Sequence, residues 1–161
     1  MNTKAIGNIG EAKVICKFVE LGIPVYIPFG DNERADLIAE FNEKLNKIQV
    51  KTSLKAEDGK YIISLTSSTE HRKNGVRHVY SEKDIDYFAL YNMTRDKVLL
   101  IAVNDAPNTA ITVRYEKPKT NNQYNPWLEE KLLLEKVLCV ETLHDAPEQL
   151  DEGEDKVQTT M

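Results

Sequence analysis

The chain has 161 residues, 41% of them hydrophobic, and a formal charge of −5, which supplies apolar material for one core and one domain. No apolar run is long enough to cross a bilayer and the N-terminus lacks the apolar stretch of a secretory signal, so no membrane partner is expected and a cytoplasmic location is. Cys16 and Cys139 lie far apart inside helical patterns and are expected to be buried thiols, not a disulfide or zinc site, and His71, His78 and His144 have no metal-ligand spacing.

In chain order, the first element reads as a helix from about residue 7 to 21. Ile6, Ile9, Ala12, Ile15, Phe18 and Val19 recur at three- and four-residue intervals, and Gly22 stands where a helix stops. Glu11 projects along that stripe, and an acid there must be paired or must bind something. The segment 23–28 carries two prolines and reads as a short edge strand or connector. A strand from Asp36 to Phe41, a turn at 42–46 and a strand through Lys47-Ile48-Gln49-Val50-Lys51-Thr52-Ser53 form a hairpin. Successive strand side chains alternate faces, so Gln49 and Lys51 share one face above Ile48 and Val50, with Asp36 beside them.

After a turn at 57–60, residues 61–66 supply a third, adjacent strand. Ser81 caps a short helix; 86–91 and 97–103 form a second hairpin, and 111–115 a weaker strand. A last helix is predicted from Pro126 to about Cys139, with Leu128, Leu132, Leu133 and Val137 inward and Glu129 and Glu135 outward. The domain is expected to span 1–140. Residues 141–161, with seven acids against one base, are expected to form an acidic, flexible tail, which leaves the body at +1 of the total −5.

That near-neutral body is compatible with nucleic acid. Its basic and amide-rich segments hold Lys55 and Lys60, then Arg72, Lys73 and Arg77, then Arg114, Lys117, Lys119, Asn122 and Gln123. These residue types contact phosphates or base edges, although the same composition also suits an ordinary polar surface.

Helix with acid, strand with Asp, strand with Gln-x-Lys, and a further strand together resemble the PD-(D/E)XK nuclease superfamily, in a Gln-x-Lys variant. Within it, the passage Tyr80-Ser81-Glu82-Lys83-Asp84-Ile85-Asp86-Tyr87-Phe88 resembles the compact cyanobacterial intron-encoded homing endonucleases of this fold. The resemblance covers about residues 5–103. It implies an α/β, restriction-endonuclease-like core with a mixed central sheet flanked by helices. It also implies catalytic residues Glu11, Asp36, Gln49 and Lys51, and a Mg²⁺ site, open to Mn²⁺, built from Glu11, Asp36, Gln49 and the Val50 carbonyl. Two departures stand out: Ala35 replaces the usual proline, and Gln49 replaces an acid.

The implied function is a site-specific, metal-dependent endonuclease making double-strand breaks in DNA. Its two cuts require a homo-oligomer, a dimer at least, the tetramer being the assembly of that group's member. Alternatives are a Holliday junction resolvase-like nuclease, a catalytically decayed DNA-binding protein, and an unrelated interaction module whose partner engages the acidic tail. The ordinary reading of Asp36 and Lys51 is a cross-strand ion pair.

Overall fold

Asn2 starts the first helix, its Oδ1 accepting the Ala5 N–H at 2.7 Å and satisfying one of the N–H groups that a helix start leaves open. The computed structural model of the chain describes residues 1–30, 33–67, 77–117 and 127–138. Helix α1 spans Thr3–Glu20, beginning before residue 7 because of that cap. It ends in a glycine-terminated turn: Gly22 has φ 74°, and the Ile23 N–H reaches back to the Phe18 carbonyl at 3.0 Å. The face it buries is Gly10, Val14 and Phe18. The expected stripe is thus rotated: Ala12 and Val19 are exposed, and Ile9 and Ile15 lie half-buried at its margin. Hydrophobicity misplaces the face because its closest approach to the sheet is made at a glycine. Cys16 is exposed, contrary to the expected buried thiol; Cys139 lies outside the described residues.

Strands β1 (Val25–Tyr26), β2 (Leu37–Phe41) and β3 (Lys44–Ser53) run antiparallel in sequence. The β2–β3 turn is only Asn42-Glu43, with φ 52° and 54°, the left-handed pair whose twist suits a two-residue hairpin. The longer expected turn fails because Asn46, though polar, is buried in β3, its amide donating to the Phe41 and Lys44 carbonyls at 3.1 and 3.0 Å.

Strand β4 (Lys60–Ser64) leaves the main sheet, contrary to its expected place beside β3. It pairs instead with β7 (Ala110–Arg114) in a two-stranded antiparallel ribbon. The place beside β3 goes to β5 (Tyr87–Asn92), which runs parallel to it and pairs on its other side with β6 (Lys97–Ala102). A central strand needs apolar residues on both faces. Phe88-Ala89-Leu90-Tyr91 meets that demand, whereas β4 buries only Tyr61 and Ile63 and has Lys60, Ile62 and Ser64 on its other face. The five strands form a mixed sheet in the order β1-β2-β3-β5-β6.

Side-chain alternation gives the sheet two buried faces. Val14 and Phe18 of α1 pack on Leu37, Ile48, Val50, Ala89 and Leu100. The ribbon's Tyr61, Ile63, Ile111 and Val113 cover Phe88, Leu90, Leu99 and Ile101 on the other.

The expected short helix after Ser81 is a single turn, with the Asp84 carboxylate accepting from the Ser81 N–H and hydroxyl. The expected long C-terminal helix is also absent as such. Helix α2 covers only Glu129–Leu132, Leu133 bridges to Leu99, and residues 134–138 turn helical again. Glu129, expected to face outward, is 6% exposed and accepts from Arg95 Nη2 at 2.8 Å and Nε at 3.2 Å. Among the described residues no helix is long and apolar enough to cross a membrane.

Candidate active site

Strand β2 stops one residue short of where β3 continues, and the candidate site is built in that gap. Leu37↔Ile48 is the last β2–β3 register pair. Asp36 follows it only through its N–H, which donates to the Ile48 carbonyl at 2.9 Å. Beyond that point Val50 has no strand partner on this edge, and the Asp36 side chain takes the strand's place. Its Oδ2 accepts the Val50 N–H at 2.8 Å and the Gln49 Nε2–H at 2.5 Å. The same Gln49 nitrogen donates to the Val50 carbonyl at 3.3 Å.

The Gln49 amide nitrogen therefore lies between two oxygens, Asp36 Oδ2 and Val50 O. A half turn about its terminal bond would present the amide oxygen instead. Among the described residues no group of three or more His, Cys, Asp or Glu side chains could hold a metal. The carboxylate and carbonyl brought together here are instead hard oxygens, and the Gln49 amide oxygen would join them on turning, a set that suits a small divalent cation of the Mg²⁺ kind.

Glu11 reaches the site from α1, half-buried. Burial pushes its carboxyl pKa upward, and the Asp36 charge adds to the effect. Asp36 is pushed up as well, because burial outweighs the Val50 N–H, the Lys51 charge and the Gln49 amide that favour its ionised form. Two acids in one poorly hydrated place both resist ionisation, and a bound cation would relieve both. Helix α1 is able to bring Glu11 in because it rests on β3 at Gly10: a Cβ there would stand 1.8 Å from Thr52 Oγ1.

Lys51 shares the Gln49 face. Its Nζ donates to the Thr66 carbonyl at 3.0 Å and lies 4.8 Å from the centre of the Tyr80 ring. Burial lowers its pKa, with Asp36 acting in the opposite sense. Asp36 and Lys51 form no ion pair among the described contacts, so the ordinary cross-strand salt bridge is not what holds them.

The structure thus brings Glu11, Asp36, Gln49, Val50 and Lys51 to one place. Of the residues expected at DNA, Lys60 and Arg114 are directly opposite on the ribbon, and Lys55, Arg77 and Lys117 are exposed. Arg72, Lys73, Lys119, Asn122 and Gln123 lie outside the described residues, as do His71, His144 and 141–161. Sequence reasoning did not single out Thr66 or Tyr80 for the site, nor the Gly10–Thr52 contact. The place of Tyr80 at the head of a recognisable passage was the one available signal.

A mixed sheet opened at one edge to hold an aspartate against a Gln-x-Lys strand, with a helix-borne glutamate beside it, defines a nuclease fold of the restriction-endonuclease type. A family model described as PD-(D/E)XK endonuclease matches residues 1–129, and the chain belongs to that family. Among solved structures, the bacterial homing endonuclease I-Ssp6803I is similar with a TM-score of 0.70, over 92% of this chain and 100% of that one. At 20% identity the likeness is one of fold. No curated protein matches.

Proposed function

We propose that this protein is a Mg²⁺-dependent endodeoxyribonuclease that makes site-specific double-strand breaks, in the manner of a homing endonuclease. The observation that carries the reading is the meeting of Asp36 Oδ2, the Gln49 amide and the Val50 carbonyl in the strand gap, with Lys51 on the same face. When bound, a divalent cation supplies positive charge against the phosphoryl oxygens and acidifies a water.

The chain's own groups divide the remaining work. Asp36 and the Val50 carbonyl would hold the cation, Gln49 would add its amide oxygen after turning, and Glu11 would hold a water or a further cation. Mn²⁺ fits the same donors and should substitute. Lys51, cationic and poorly solvated, orients the attacking water or neutralises charge on the phosphoryl group as the bond breaks. Lys55, Lys60, Arg77, Arg114 and Lys117, with the further basic residues of 72–73 and 119, supply phosphate and base contacts. Cutting both strands requires two such sites, hence at least a homodimer.

Incubation of plasmid, genomic and four-way-junction DNA with Mg²⁺ or EDTA, comparing native protein with Lys51→Ala, tests the proposal. Discrete products lost in EDTA and in the variant are expected. Cutting of junctions alone would replace it with a resolvase. The second reading, a DNA-binding protein that does not cut, is favoured by one observation, the neutral Gln49 where the family pattern has an acid. Salt-dependent DNA binding with no cleavage in Mg²⁺ or Mn²⁺ would select it.

A further inference from the structure

The ammonium of Lys51 ends a flexible four-carbon stem, yet the surroundings hold it from two directions. The Thr66 carbonyl accepts one of its three protons at 3.0 Å, and the face of the Tyr80 ring covers it at 4.8 Å. The ring is itself fixed edge-on by two neighbours: His78 at 5.2 Å and 82°, and Phe88 at 5.6 Å and 85°. Phe88 belongs to β5, and His78 is pinned in turn. Its N–H donates to Ser67 Oγ at 2.8 Å, its carbonyl accepts the Ser67 N–H at 3.1 Å, and its Nε2 lies 3.1 Å from Asp84 Oδ2. A chain of fixed contacts therefore runs from Ser67 and Asp84 through His78 to the aromatic face on Lys51.

We propose that Tyr80 is a positioning residue for Lys51, its π face holding the ammonium so that a remaining N–H points into the gap beside Asp36. The proposal rests on the reading of Lys51 as the catalytic lysine. A single hydrogen bond to Thr66 leaves an alkylammonium free to swing about that bond. The ring's negative face supplies a second, directional attraction without consuming a proton. What matters is the π face and not the hydroxyl, so Phe should replace Tyr80 and an aliphatic residue of similar bulk should not.

The test uses the full chain with labelled lysines, the Lys51 signals being assigned through Lys51→Arg. The aromatic face should shift the Lys51 ε-methylene protons upfield, and the NH₃⁺ group should be ordered. Tyr80→Phe should keep both signatures and hold kcat within about twofold. Tyr80→Leu should lose both and lower kcat on the order of tenfold, with KM changed less than about threefold, as expected for removal of one desolvated cation–π contact. Native order and kcat in Tyr80→Leu would overturn the proposal, as would a Tyr80→Phe variant as impaired as Tyr80→Leu.

Should Tyr80→Leu fail to fold, Tyr80→Phe with stepwise ring fluorination weakens the π face at nearly constant volume. Graded loss of Lys51 order supports the proposal and a flat series overturns it. If the native protein cuts no DNA, the nuclease reading fails alone, and the NMR signatures still decide whether Tyr80 orders Lys51.

Discussion

Replacing Gly10 by alanine tests whether helix α1 must touch strand β3 to place Glu11. A Cβ at Gly10 would meet Thr52 Oγ1 at 1.8 Å, Thr52 Cβ at 2.9 Å and Thr52 Cγ2 at 3.1 Å. Rotating Thr52 removes the first conflict at no cost in hydrogen bonds, because its buried hydroxyl has no partner. It cannot move the Thr52 Cβ, so the helix must lift by about 0.6 Å to reach ordinary carbon contact of ~3.5 Å. Overpacking of this kind costs about 1–3 kcal/mol, offset by about 1 kcal/mol of helix propensity gained over glycine. The net is about 0–2 kcal/mol, a fall in Tm of at most about 4–8 °C for a chain of this length. Cleavage should fall further than stability, by about tenfold or more, since Glu11 rides on the displaced turn and misplacements near 1 Å can cost ~100-fold. Thermal melts by circular dichroism and kcat on cleaved DNA read the two effects. In a Gly10→Ala/Thr52→Ala chain the Oγ1 and Cγ2 conflicts vanish, so the double change should cost less than Gly10→Ala alone. A Gly10→Ala protein with a raised Tm would refute the reasoning, because propensity without contact predicts that increase.

Asp36→Asn should uncouple stability from activity. One oxygen, Oδ2, accepts both hydrogen bonds, so an asparagine oxygen can keep them while the buried charge disappears. An acid whose pKa is raised by burial destabilises the fold once ionised, so Tm in EDTA at pH 7 should rise by about 2 °C or more. The gain should vanish in acid, where Asp36 is protonated, and cleavage should be lost throughout; a lower Tm at pH 7 would contradict the electrostatic account. Asp86 has the opposite sign. Burial would raise its pKa, but the Lys44 ammonium at 2.7 Å and the Lys47 N–H at 2.8 Å hold it below the usual carboxylate value. Its contribution is present above pH ~4 and lost as pH falls through the depressed folded value, so Asp86→Ala should flatten the acid limb of a Tm-against-pH curve. Glu129→Ala leaves Arg95, stacked 4.2 Å over Tyr115, without its carboxylate. Because Arg95 is partly exposed, the loss should be about 1–3 kcal/mol, below the ~3–5 of a fully buried pair, and denaturant melts would show an unchanged midpoint if the pair were ornamental.

The hairpin that carries the site was legible because its signals are local. Strand alternation placed Gln49 and Lys51 on one face, and the antiparallel return placed Asp36 beside them. What failed to show depends on contacts distant in sequence. Gly10 carries no hydrophobic signal, yet it is where α1 meets β3, so the helix face was rotated in the sequence reading. The strand 60–64 pattern looked like a neighbour of β3, but only β5 has apolar residues for both sheet faces, and the competition between the two cannot be judged from either alone. Glu129 was placed outward by helical period, whereas Arg95, 34 residues earlier, draws it into the core. Thr66 and Tyr80 escaped notice for the same reason: nothing in their own neighbourhood says that a lysine from β3 ends between them.

Gln49 is the departure from the family pattern that the electrostatics of the site make intelligible. Burial already pushes the pKa of both Glu11 and Asp36 upward in a half-buried gap, and the Asp36 charge raises Glu11 further. A third carboxylate at position 49 would lie within hydrogen-bond reach of Asp36 Oδ2 and the Val50 carbonyl, where both neighbours are acceptors and no proton would separate them. The amide instead donates to both, so the cation-free site is internally satisfied and the strand gap stays closed. The same substitution removes one negative charge from the surroundings of the proposed cation, which would weaken its hold. The balance between these effects predicts that a chain with Glu at this position binds a divalent cation more tightly while standing less stable without one. With Gln49 the fold would be kept when the site is empty, and retention of the proposed cation would fall to Asp36, Glu11 and the phosphate oxygens of bound DNA.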